Sequence, residues 1–599
     1  MSAQTANASP QEQGVSFAEL RDAAKFLWPY FRPYRRDLAF GYGALLLKNG
    51  AGATMPLIIK AGVDSLVVDF RLSTTLEYCG WMVVAMFIKG FFQFWMRVLL
   101  VNVSRDVEFD LRNDIFANLV GLSGGFFGRT RTGDVLARAT NDLNAVRMMA
   151  GPGVMYWMET VTLAIVVLSI MFTADWRLTL AALLPAPLVS IVVSVLGSRI
   201  HTYFQAIQEK FSDISSMVQE NLQGVRVVRA YVQEEAEQAA FARLNRDYIF
   251  HNLKLAKVSG LFMPLLEFLI GTSFLMVLAV GGWQMMRGEM TVGDYVMFNS
   301  FMGLLVWPMI AMGWVVNLTQ RGMASLKRIR EFLDEKPSIA SPQQPETPQS
   351  RAGSIEFRNV SYRHEHGFAL RGINLQIPAG DTVAIVGPTG SGKSTLAKLI
   401  PRLLDPSEGE ILVDGVPVDS QALEALRDGI AVVPQETFLF SSSLFENIRF
   451  GAPSATTAQA LEAAAAAGLE SDLESFPEGL DTRVGERGVT LSGGQKQRTA
   501  IARALLSDPR ILILDDALAS VDNITEERIL RELETVMRGR TTILISHRVS
   551  TIRQAGRIIV LQSGEIVEAG THDELLARQG YYADLYQRQL LEEELESIS

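Results

Sequence analysis

Apolar residues in the first half of the chain gather into long runs, not into the spaced stripes of water-soluble helices. Six runs are long enough to cross a hydrocarbon core of roughly 30 Å, which takes about 20 helical residues. They are Leu38–Leu66, Gly80–Val103, Pro152–Thr173, Leu178–Ser198, Leu261–Met286 and Tyr295–Leu318. The fourth holds no charge between Arg177 and Arg199, and its Pro185 and Pro187 predict a kink. The first two carry charges: Lys48, Lys60, Asp64, Lys89 and Arg97. Ahead of them, Phe26–Phe31 followed by Arg32, Arg35 and Arg36 predicts an amphipathic helix lying at the membrane surface.

The links between runs set an orientation. Ala174–Arg177 and Arg287–Asp294 are short, whereas the second-to-third and fourth-to-fifth links are long and rich in Arg and Lys. Positive charge marks the cytoplasmic side, so the long links and both chain ends are expected inside. The polar first twenty residues lack the cationic start and apolar core of a signal peptide. Helical periodicity continues through Ile214, Val218, Leu222 and Val225, so the long links read as helices that extend the spans.

Beyond the sixth run the texture changes. Glu335–Ala352 holds four prolines among Gln, Ser and Thr, the composition of an extended linker. Short β-rich runs then alternate with helical ones: Ser354–Tyr362, Thr382–Val386, Ile430–Val433, Ile511–Leu514, Thr541–Ile545 and Ile558–Leu561. The expected organisation is a cytoplasmic N-terminus and surface helix (1–37), a six-helix transmembrane domain (38–334), a linker (335–353) and an α/β domain (354–599). Composition adds little. The chain is 48% hydrophobic with a net charge of −10 and no basic stripe, which argues against nucleic acid as partner. Its one cysteine, Cys79, excludes an intrachain disulfide and a multi-cysteine metal site.

The α/β half carries the chemistry. Gly387-Pro388-Thr389-Gly390-Ser391-Gly392-Lys393-Ser394-Thr395 fits the P-loop pattern, after a strand-like run and before a helix-like one, Leu396–Leu404. The glycines let backbone N–H groups turn onto the phosphates of ATP. Lys393 neutralises their charge, the Ser394 hydroxyl can ligate Mg²⁺, and the following helix adds its dipole. Ile511–Leu514 ends in Asp515, an apolar strand delivering a carboxylate to that Mg²⁺.

Leu491-Ser492-Gly493-Gly494-Gln495 resembles the signature sequence of ATP-binding cassette (ABC) proteins. The resemblance implies that this loop serves ATP held by an opposite cassette, in a dimer with two shared sites. Other residues match in turn: Tyr362 resembles the adenine-stacking aromatic, Gln435 the Q-loop glutamine that touches Mg²⁺, Ser520 to Asp522 the D-loop, and His547 the switch histidine at the γ-phosphate. Thr482–Gly488 resembles the exporter X-loop, and Phe126–Asp142 and Ser212–Tyr231 resemble the two cytoplasmic loops that press on cassettes. Six spans ahead of one cassette is the exporter arrangement, so the implied fold is a helical transmembrane domain plus an α/β P-loop ATPase, resident in the plasma membrane. The implied cargo is an amphipathic drug or lipid.

One position departs from the family. After Asp515 stands Asp516 where Glu usually acts as base or water-positioning group. An acid one methylene shorter misplaces the attacking water, and ~1 Å can cost on the order of 10²-fold. The expectation is a site that binds MgATP and hydrolyses it slowly, in the degenerate-site subunit of a heterodimer with a second half-transporter. A homodimer using Asp516, or a regulatory subunit that gates its partner, are the alternatives. Within the spans, Lys48 and Glu267 are candidate substrate contacts, because intramembrane charge faces a bundle interior or a cavity.

Overall fold

A computed structural model describes residues 16–598 except 69–70, 365–366, 489 and 519–522. Its contacts separate two compact units, one running to Val120 and from Thr132 to Glu335, the other comprising Gly121–Arg131 and Lys336–Ser599.

The first unit is helical throughout. Helix α1 (Phe17–Phe31) opens on a capping box, Ser16 with Glu19. It begins nine residues ahead of the expected Phe26, because Ala23 and Leu27 extend its buried face. A 3₁₀ turn (Arg32–Tyr34) leads into α2 (Arg35–Val68). Then come α3 (Leu72–Gly121), and, after the short α4 (Gly124–Arg129) of the second unit, α5 (Thr132–Ala174), α6 (Trp176–Gln223), α7 (Val225–Ala230), α8 (Glu234–Met286) and α9 (Val292–Asp334). Among the described residues, six stretches are long and apolar enough to cross a membrane, at 43 to 53 residues each. At 1.5 Å per residue that is about 65–80 Å, over twice the hydrocarbon thickness, so the helices continue well past the apolar runs. The expected kink is present: α6 is interrupted after Leu183 and resumes at Ala186, with Pro185 in the break. Two π turns, Arg138–Asp142 and Met149–Gly153, interrupt α5.

Helix α9 packs against α2 and α5, while α6 and α8 form an antiparallel pair. A core of Ala53, Val167, Met171, Val277, Phe298 and Phe301 joins these helices. The charges in the first run acquire partners. Asp64 accepts from the Thr291 hydroxyl (3.0 Å) and the Gly293 amide (2.8 Å), and Lys60 pairs with Asp294, all at the start of α9. Lys48 is buried and paired with Glu159 of α5, and Asn49 donates to the Glu159 carbonyl at 3.2 Å. The ammonium of Lys48 is thus committed to a neighbouring helix instead of a cavity. Glu267 stands exposed on α8. Outside the apolar runs, α1 is pinned by Tyr30 to Asp114 (2.7 Å) and the turn after it by Tyr34 to Asp110 (3.1 Å).

The second unit holds two sheets. Strands β1 (Ile355–His364), β2 (Gly367–Ile377), β4 (Glu408–Val413) and β5 (Val416–Pro417) form an antiparallel sheet in the order β2-β1-β4-β5. Strands β3 (Thr382–Val386), β6 (Ile430–Val433), β7 (Ile511–Asp515), β8 (Thr541–Ile545), β9 (Arg557–Gln562) and β10 (Glu565–Gly570) form the second, β10-β9-β3-β8-β7-β6, parallel except for β10. Strands β7 and β8 are buried at every position, with helices packed on one face and the antiparallel sheet together with residues 393–399 on the other. The linker is neither helix nor strand, yet it is fastened down: Arg402 donates to the Ala340 carbonyl (3.1 Å), Glu346 N–H to Ser420 (2.8 Å), and Asp414 accepts from Gly353 N–H (2.6 Å).

Removing one member of the Lys48–Glu159 pair leaves a buried, uncompensated charge, at a cost of roughly 3–5 kcal/mol. Lys48→Met is expected to lower the melting temperature in detergent well below that of Lys48→Met/Glu159→Leu. Equal losses in single and double variants would show that the pair is not coupled.

Candidate active site

Parallel strands aim their carboxyl ends at one edge of the sheet, and ligands of open α/β sheets gather there. Here β3 runs into the phosphate loop, β7 ends on Asp515, β8 is followed by Ser546 and His547, and β6 by Pro434 and Gln435. The loop is shaped by residues that only glycine can replace. Gly387 and Gly392 have φ of 151° and 103°, and an added Cβ would stand 2.0 Å from the Leu561 carbonyl oxygen and 2.5 Å from that of Ala369. Helix α10 (Lys393–Leu399) starts at the loop's end and stops five residues short of the expected Leu404.

A cleft of about 330 Å³ lies over the loop, lined by Thr389–Thr395, Gln435, Asp515, Asp516, Ile545 and His547. Lys393 is buried, and its ammonium donates to the carbonyls of Gly387 (2.8 Å) and Pro388 (3.0 Å). Burial draws its pKa below the ordinary lysine range, against the opposing pull of the Asp516 and Asp515 carboxylates. The Ser394 hydroxyl donates to Asp515 Oδ1 at 3.0 Å. Burial pushes the Asp515 carboxyl above its usual range, and that hydroxyl only partly offsets the shift. A cation beside Asp515 would relieve the same penalty. The Ser391 hydroxyl is buried with no hydrogen-bond partner among the described residues. An orphaned donor, a buried ammonium and a hydroxyl–carboxylate pair on one glycine cradle fit a polyphosphate with its Mg²⁺.

Asp516 adopts φ 52°, and its amide donates to the Ile545 carbonyl at 2.8 Å. Left-handed backbone is sparsely populated by non-glycine residues but is several-fold enriched in Asp and Asn. The carboxylate is therefore placed by a bend at the end of β7, whose amide still pairs with β8, at the rim of the cleft.

The signature residues lie elsewhere. None of Leu491–Gln495 lines this cleft. Ser492 caps α11 (Gly493–Leu506) through a capping box with Gln495, and both Ser492 and Gly493 are exposed. Asp472 braces the turn, accepting from Gln495 (3.1 Å) and Arg498 (2.6 Å). The X-loop residues Thr482 and Val484 are joined by backbone hydrogen bonds to Leu444 and Ser442, in the segment after Gln435. The D-loop residues Ser520 and Asp522 lie outside the described residues.

Tyr362 does not line the cleft; His364 does. The two are two residues apart on β1 and share a face. Tyr362 packs on the core beneath the antiparallel sheet, and its ring meets His364 edge-on at 5.0 Å. A larger cleft of about 650 Å³, between α1, α6 and α9, contains none of the phosphate-binding groups.

Comparison with known proteins agrees with this arrangement. The family model described as the ABC transporter transmembrane region matches residues 38–309, and the ABC transporter model matches 370–519. The chain is 38% identical to the probable multidrug resistance ABC transporter ATP-binding/permease protein YheI of Bacillus subtilis, over 94% of this chain and 97% of that one. It is 37% identical to the multidrug resistance-like ATP-binding protein MdlA of Escherichia coli, over 96% and 98%. The ATP-dependent lipid A-core flippase of Syntrophus aciditrophicus is 34% identical, over 96% of each. Among solved structures, a bacterial Atm1-family ABC exporter with ATP bound superposes with a TM-score of 0.78 at 29% identity, covering 93% of this chain and 98% of that one. With six apolar spans ahead of one P-loop cassette, and relatives matching both along nearly the whole length, this chain belongs to the ABC transporter family as an exporter-type half-transporter and transport ATPase.

Proposed function

We propose that the chain is one subunit of a heterodimeric exporter of amphipathic small molecules or lipids, and that its own ATP site hydrolyses slowly. The division of the cassette's chemistry carries the need for a second cassette, and Asp516 at the rim of the cleft, one methylene shorter than the Glu usual in the family, carries the slow site and with it the heterodimer. Lys393, Ser394, Asp515, Asp516, Gln435 and His547 share one cleft, while Ser492 is presented on the exposed end of α11. A loop so placed suits a nucleotide held by a second cassette. The names of the multidrug-resistance and flippase relatives support the cargo class. Both chain ends are proposed to be cytoplasmic, on the strength of the basic long links.

In this reading the phosphate-loop amides and Lys393 hold the β- and γ-phosphates, and Ser394, Asp515 and Gln435 hold Mg²⁺, which neutralises phosphate charge. Asp516 orients the attacking water from a carboxylate set back by one methylene. His547 donates to the γ-phosphate. His364, at the cleft rim, and Tyr362 beside it take the adenine. Substrate contact within the membrane is proposed for Glu267 alone, since Lys48 is paired; unchanged transport by Glu267→Gln would remove it.

Three outcomes test the reading. Asp516→Glu is expected to raise ATP turnover by an order of magnitude or more, about the penalty of a displaced water, and Asp516→Asn to change a slow rate little. Brisk hydrolysis by the purified chain alone, abolished by Asp516→Asn, would instead establish a homodimer. Ser492→Ala should abolish turnover in the assembled pair; unchanged turnover would favour a regulatory subunit. His364→Ala should weaken ATP binding about 5-fold or more, the scale of one lost base-stacking contact, with Tyr362→Ala weaker in effect. Nucleotide titration of the two variants measures both.

A further inference from the structure

The segment that carries His547 is held from behind by the last helix of the chain. Helix α12 (Tyr581–Ile598) is seated by Tyr582, which is fully buried in the cassette core. The Tyr582 hydroxyl meets His572 Nδ1 at 2.7 Å, and Glu568 accepts from the Tyr581 amide at 2.6 Å. Seven residues on, two helical turns along the same face, Gln589 reaches the switch segment. Its Nε2 donates to the His547 carbonyl, and its Oε1 accepts from the Val549 amide at 2.7 Å.

One side-chain amide thus closes both backbone groups that flank Arg548, as a neighbouring strand would. The Val549 amide opens the short helix Val549–Ile552, where no intrahelical acceptor exists. Gln589 supplies that acceptor. Its other half fixes the peptide plane of His547, and hence the direction in which the imidazole leaves the backbone toward the cleft it lines. Ser546 Oγ accepts from the Arg548 amide at 3.0 Å and adds a further side-chain bond within this turn.

We propose that Gln589 is a positioning residue for ATP hydrolysis: the C-terminal helix sets the switch histidine through the backbone of residues 547–549. The proposal rests on the reading of His547 as the γ-phosphate group. It makes α12 part of the hydrolytic apparatus without touching nucleotide. A displacement of α12 releases His547 while leaving the phosphate loop, and so ATP affinity, nearly as before.

The test uses the full-length protein in lipid nanodiscs, with any partner that co-purifies. Gln589→Ala is expected to lower kcat about 10-fold with KM for ATP within about 2-fold, a loss of alignment and not of binding. Gln589→Glu keeps the acceptor for Val549 but has no donor for the His547 carbonyl, so it should fall between the two and guards against misfolding of the alanine variant. In a His547→Ala background, Gln589→Ala should add no further loss, because the two act through one group. Amide exchange in the peptide containing Val549 should quicken about tenfold or more in Gln589→Ala, with the phosphate-loop peptides unchanged.

An equal fractional loss in both backgrounds, or unaltered exchange at Val549, overturns the proposal. Where steady-state turnover is too slow to divide, single-turnover hydrolysis of prebound MgATP decides: it should be slowed equally by Gln589→Ala and His547→Ala. A His547→Ala variant with full turnover, in both steady-state and single-turnover measurements, would defeat the reading of His547 itself. An effective His547→Ala beside a silent Gln589→Ala would defeat only the role of Gln589.

Discussion

The Ser394–Asp515 hydrogen bond joins the loop after β3 to the end of β7, across β8, which lies between them in the sheet. Much else follows from that short span. With loop and carboxylate at bonding distance, the strand between them delivers its following residues, Ser546 and His547, into the same edge, and Asp516, where the chain bends at the end of β7, still pairs with Ile545. The left-handed backbone at Asp516 is the local cost of bringing two acidic groups to one rim. Burial makes both Lys393 and Asp515 unfavourable as isolated ions, so the site is electrostatically primed for a ligand that carries both anionic phosphates and a cation.

The same rule about buried polarity governs the membrane unit. A bilayer offers no water, so each ionised side chain within a span needs a partner on another helix or a route to the interface. Lys48 finds Glu159, and Asp64 finds the amide and hydroxyl at the start of α9. Asp175 receives Gln284 at 2.7 Å while capping the start of α6. These contacts join helices far apart in sequence and specify which faces meet in a region where apolar packing alone is permissive. The charges that weaken the first run as a hydropathic span are therefore devices of bundle assembly.

In the cassette, the tail of the chain has a comparable part. Tyr582 anchors α12 to the core, and the same helix face carries Gln589 to the backbone beside His547. The proposed catalytic edge thus draws on five separated stretches, four following parallel strands and one coming from the C-terminal helix. Its precision depends on the sheet and on what is packed behind it as much as on the motifs themselves.

Local periodicity and spacing determined a good deal by themselves. Twenty-residue apolar runs revealed six spans, the phosphate loop and Asp515 were legible because each sits contiguously at a strand end, and resemblance to the ABC family added Gln435, Ser492 and His547. The buried strands β3, β6, β7 and β8 read clearly as unbroken apolar runs. Strands β2, β4 and β10 escaped notice because they are partly exposed, mixing polar and apolar positions in the manner of turns and loops. Tertiary structure alone decided the rest. Hydropathy marked Lys48 as unusual but could not name Glu159, 111 residues away. A motif pointed to Tyr362, yet only the packing of β1 turned that ring to the core and left His364 at the cleft. Gln589 carries no motif; its importance comes from a fold that brings it to a backbone 42 residues distant. Composition and spacing report what a segment can do, whereas partners across the fold are chosen by three-dimensional packing.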